Sequence, residues 1–80
     1  MEEIRIASKL QVCRDTARRF YGDKFQAEIE PYKKLISEVA NEKGIEILEA
    51  TIKICDDDVI KNHGWTVVLI MAAAVELIEQ

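Results

Sequence analysis

Between Trp65 and Val75 the chain reads W-T-V-V-L-I-M-A-A-A-V, an uncharged run in which only Thr66 is not apolar. A helix that is apolar on every side belongs inside a protein core, a membrane or a partner's surface, because no rotation gives it a face for water. Crossing a bilayer takes about 18 to 20 apolar residues, and the interval between the triplet Asp56-Asp57-Asp58 and Glu76 supplies fewer. Protein must therefore cover this run. In a chain of 80 residues that demand organises the rest: the expected fold is all-α, a compact bundle of four helices with short loops, one domain over residues 1–80, with its C-terminal helix central or at an oligomer interface. The β-branched T-V-V-L-I has some strand character, but no second strand candidate exists to pair with it, and M-A-A-A-V-E-L-I-E is strongly helix-forming.

Three amphipathic segments precede the run. From Glu2 to Tyr21, Ile6, Leu10, Cys13, Ala17, Phe20 and Tyr21 fall on an arc of about 100° at helical spacing, opposite Gln11, Asp15 and Arg18. From Lys24 to Lys43, Phe25, Ile29, Tyr32, Leu35, Ile36, Val39 and Ala40 share one stripe; Pro31 either kinks this helix or starts it anew. From Ile45 to Asn62 the ladder Leu48, Ile52, Cys55 and Val59 sets the core face. Gly22 and Gly44 suit left-handed helix ends, Asp23 and Gln26 have capping-box spacing, and Asn62-His63-Gly64 reads as a stop in which His63 caps the third helix.

Charge narrows the choice of partners. The net charge of −4 opposes a general affinity for nucleic-acid backbones or anionic lipid, which need clustered Lys and Arg. The imbalance is uneven: residues 1–40 carry eight Lys or Arg against seven Asp or Glu (+1), and residues 41–80 carry three against eight (−5). The two halves attract each other weakly. Two cysteines are too few for a secreted disulfide scaffold, and no leader pattern opens the sequence, so the expected location is the cytoplasm.

Each candidate site has a plainer explanation. Three consecutive Asp on a helix diverge by about 100° each and cannot share a cation, so they read as a solvated break or an interruption of the third helix. Cys13, Cys55 and His63 lie singly on different segments without the paired spacing of structural zinc sites; the cysteines read as small buried apolar residues. Val39, Ala40, Gly44 and Ile45 have helix-turn-helix character, but the recognition helix would be the largely apolar Ile47–Lys53. Phe20, Tyr21, Phe25 and Tyr32 cluster around the first turn, either as an anchor patch or, more simply, as a packed corner with both tyrosines at its rim.

No catalytic constellation, metal site or cofactor signature is evident, and the expected function is a small non-enzymatic interaction protein: an adaptor, regulator or accessory subunit. Its partners are expected to be a second copy of itself in a homodimer and possibly another protein, with no membrane. Tyr21, Tyr32, Trp65 and Leu69, with Arg14 and Arg18, are the expected interaction surface. The alternative is a nucleic-acid-associated regulator that gathers the arginines of the first helix across a dimer.

Overall fold

The computed structural model describes the backbone of residues 2–79 and the side chains of residues 8–79. The apolar run forms α4 (Gly64–Glu79), which packs against α1 (Glu2–Tyr21), α2 (Phe25–Lys43) and α3 (Ile47–Cys55). Small side chains make this enclosure possible. Ala72, Ala73 and Ala74 are successive residues, so their Cβ atoms point about 100° apart, yet each is 0% exposed. Leu69, Ile70 and Val75 complete the buried part of the helix, and within Trp65–Val75 only Trp65 is exposed. Leu69 thus belongs to the interior, at 5% exposure, and not to an interaction surface. Among the described residues there is no strand, and no helix is long and apolar enough to cross a membrane.

The expectation of four helices separated by loops is corrected at the first corner. A single 3-10 turn (Gly22–Lys24) joins α1 to α2, and Tyr21, Lys24 and Phe25 all keep right-handed helical angles. Gly22 alone turns the chain, at φ 57°. Helical turns therefore follow one another without a loop from residue 2 to residue 43, bent at Gly22, and among the described residues the α-helical stretches are three: this bent one, α3 and α4. The capping box does not form, because an N-cap side chain works from an extended backbone and none occurs here. Gln26 instead donates from Nε2 to Glu76 Oε1 at 3.3 Å.

Helix α2 passes through Pro31 without starting anew. The ring removes the donor that would serve the Ala27 carbonyl, but both residues are exposed and water can replace it. Phe25, Ile29, Ile36 and Ala40 are buried along the expected stripe, with Tyr32 and Val39 half-buried beside them and Leu35 exposed at its edge. Gly44 ends α2 in the left-handed region, where the Ile45 N–H reaches the Ala40 carbonyl at 3.0 Å.

In α3 the expected ladder is rotated. Leu48 and Cys55 of that ladder are half-buried, but Ile52 is 45% and Val59 68% exposed, and the buried residues are Ala50, Thr51 and Ile54, with Ile47 half-buried beside them. The smaller pair Ala50 and Thr51 allows closer approach to the neighbouring helices than the Ile52 face would. Thr51 meets its polar requirement internally, its hydroxyl donating to the Ile47 carbonyl at 2.8 Å. Val59 is not on this helix at all, because α3 stops at the Asp triplet.

Two of the three acids there have their own task. Asp57 Oδ1 accepts the Val59 and Ile60 N–H groups at 2.9 and 3.4 Å, which starts a 3-10 turn (Ile60–Asn62), and Asp58 pairs with Lys61 at 2.9 Å. His63 ends that 3-10 turn, its N–H donating to the Ile60 carbonyl at 2.9 Å, and also begins α4, its carbonyl accepting the Val67 N–H at 3.1 Å. In α1, Leu10 and Ala17 are buried and Cys13 is half-buried, as their spacing requires; Phe20 is not, and Ile6 lies outside the described side chains.

Candidate interaction surface at an aromatic corner

Helices α1 and α4 run in opposite senses, so the end of α1 meets the start of α4. At that junction Phe20 packs edge-on against Tyr21, with ring centroids 5.0 Å apart, and against Trp65 at 5.2 Å. Trp65 Nε1 donates to Tyr21 Oη at 2.9 Å, which satisfies the indole and fixes both rings. The cluster is joined by these contacts and open: Phe20 is 72% and Trp65 41% exposed. Its composition corrects the sequence expectation. Phe25 is buried, Tyr32 is half-buried on α2, and the third ring comes from Trp65. Val12 and Thr16, eight and four residues before Phe20 on the same flank of α1, are also exposed.

A polar clamp lies at the far end of α4. Arg14 pairs with Glu79 and with Asp15, each at 3.0 Å, and Arg18 pairs with Glu76 at 2.9 Å. Gln11 binds both sides of the first pair, donating to Glu79 at 3.1 Å and accepting from Arg14 at 2.7 Å. Arg18 also lies over the Phe25 ring, 5.4 Å from its centroid. The Asp15 and Glu79 hydrogen bonds push the Arg14 guanidinium further up, while the hydrogen bonds from Gln11 and Arg14 hold the Glu79 carboxyl below the usual range. The two arginines expected to offer a nucleic-acid face are thus turned onto the acids of α4, with only 14% of the Arg14 side chain exposed.

The cysteines lie on either side of Met71. Cys13 Sγ is 3.6 Å from Met71 Sδ, and Cys55 and Met71 line one groove together with Lys9. Desolvation raises both thiols, Cys55 to about 11, so both are protonated at neutral pH and neither is an activated nucleophile. Among the described residues no group of three His, Cys, Asp or Glu is placed to hold a metal ion. No protein family, curated protein or solved structure matches the chain.

Sequence reasoning found Tyr21 and Trp65 separately but not their meeting. The signal available was topological: a helix returning antiparallel to α1 must place its first residues beside the last residues of α1.

Proposed function

We propose that this chain is a non-enzymatic interaction protein that binds through the corner formed by Phe20, Tyr21 and Trp65, and that a second copy of itself is the first partner. The carrying observation is that two large aromatic side chains stay exposed while locked in place by ring packing and the Trp65–Tyr21 hydrogen bond. Aromatic anchors of this kind dominate binding energy where they are buried on association, and pre-fixing their rotamers lowers the entropy lost. Val12 and Thr16 extend the patch along α1. Arg14 and Arg18 support it from behind by tying α1 to α4, a role that does not need nucleic acid.

The test is light scattering at micromolar concentration on the natural chain and on Phe20→Glu. A dimer mass that falls to the monomer in the variant, with far-UV circular dichroism unchanged, supports the reading. A monomer in both, or a dimer indifferent to the substitution, refutes self-association through this corner.

A further inference from the structure

Among the described residues no Cα of α1 lies within 8 Å of a Cα of α3, and an open groove of about 260 Å³ lies between the two helices, lined by Lys9 of α1, Met71 of α4, and Ile52, Cys55 and Asp56 of α3. The walls of this groove differ in charge. On α1 the exposed residues Lys9, Val12, Thr16 and Phe20 fall within an arc of about 80°, and Asp15, the one acid among the described side chains of that helix, points about 100° away from Thr16. On α3 the exposed residues Glu49, Ile52 and Asp56 follow at spacings of three and four, and Lys53 lines the groove toward α2 instead. One wall is thus basic and apolar, the other acidic and apolar. Among the described residues none of Lys9, Glu49 and Asp56 has an ion-pair partner, while Val12 is 64% and Ile52 45% exposed.

A dimer needs more contact than the aromatic corner supplies. An aromatic side chain buries about 150–250 Å², so Phe20 and Trp65 at their exposures offer together about 250 Å², against about 800 Å² per subunit in a stable interface. The exposed stripe from Phe20 through Thr16 and Val12 to Lys9 leads from the corner along α1 to the groove, which makes the groove the continuation of the same face. Its charge pattern selects the occupant. A uniformly acidic partner is repelled by the α3 wall and a uniformly basic one by the α1 wall, whereas a second copy presents both signs in the reversed order.

We propose that a second copy of this chain covers the groove about a two-fold axis lying along it, so that Lys9 and Val12 of each subunit meet the partner's Asp56 and the partner's Ile52. An axis lying across the groove would set α1 on α1 and bring the two copies of Lys9 to the same wall, which is repulsive. The pairing rests on the self-association proposed above and adds its orientation.

The experiment measures the dimer dissociation constant by sedimentation equilibrium for the natural chain, Phe20→Glu, Lys9→Glu, Asp56→Lys and an equimolar mixture of the last two, with far-UV circular dichroism as the check on folding. Each charge reversal puts two repulsive contacts into its own dimer and is expected to weaken it about tenfold. In the mixture both contacts join opposite charges again, so association returns close to that of the natural chain. Attraction between Lys9 and Asp56 within one chain cannot produce that rescue, since neither variant retains it. Reversals that weaken the dimer without rescue on mixing, or that leave unchanged a dimer that Phe20→Glu dissociates, would overturn this pairing and leave the corner standing. Reversals that rescue each other in a dimer indifferent to Phe20→Glu would support the pairing and overturn the corner. A natural chain that stays monomeric would overturn both and give the face to a different protein.

Discussion

Replacing Ala73 by Leu tests the enclosure of α4 through the sign of a single free-energy change. The side chain gains three carbons at a position that is 0% exposed, between two neighbours that are equally buried. If spare room existed there, three buried methylene-sized groups would stabilise the fold by about 2.4 kcal/mol at about 0.8 kcal/mol each. If the helices are already in contact around Ala73, the added carbons force rotamers and backbone apart at a cost of about 1–3 kcal/mol. The grooves between helices at Met71 and at Val75 are lined by other residues, so the second outcome is expected. A domain of this length has a total stability of about 4–12 kcal/mol, so the loss is a large fraction of it. Urea denaturation followed by far-UV circular dichroism reads the change: with a slope near 1 kcal/mol/M, a loss of about 2 kcal/mol lowers the midpoint by about 2 M. Ile78→Leu, at a residue 52% exposed, is the matched control and should move the midpoint little. An Ala73→Leu variant that unfolds at or above the natural midpoint would refute the claim that the other helices enclose α4 on every side.

Two further tests follow from backbone and charge. Gly44→Ala should destabilise by about 1 kcal/mol or more, since a Cβ there meets nothing within 4 Å but the φ of +65° is costly for any L side chain, whereas Gly64→Ala, equally uncrowded and helical, should stabilise by about 0.5 kcal/mol; thermal melts of the pair separate strain from space. Glu79 is held below the usual carboxylate range in the folded state, so its contribution is present above the unfolded pKa and is lost as pH falls through the folded one; Glu79→Gln should flatten the decline in stability between about pH 5 and about pH 3, measured by urea midpoints across that interval.

The sequence conveyed helical class and core stripes where a face was long and uniformly apolar. The stripe of α2 and the buried run of α4 are legible because Phe25, Ile29, Ile36 and Ala40, and then Leu69 through Val75, leave little doubt about which side is apolar. In α3 nearly half the circumference is apolar, so periodicity underdetermines rotation, and the rotation was set by the small pair Ala50 and Thr51 instead. Phe20 lies on an apolar arc and is nevertheless exposed, because it sits in the last turn of α1, where α4 has only begun and offers it Trp65 alone as a ring neighbour from that helix. The Asp triplet was legible as a break, but the hydrogen bonds from Val59 and Ile60 to Asp57 depend on backbone angles that composition does not encode. The aromatic corner joins Tyr21 with Trp65 and the sulfur contact joins Cys13 with Met71, each pair from distant segments that only topology unites.

The separation of α1 and α3, with α4 packed against both, also bears on the order of events during synthesis. Helices α1, α2 and α3 leave the ribosome before α4, and among the described residues no Cα of the first lies within 8 Å of a Cα of the third. Helix α2 can pack against α1 and α3 as they emerge, but the faces that all three turn toward α4 stay wet until it follows, so the core closes late, and the interval before that is when those faces are open to holding chaperones or to one another.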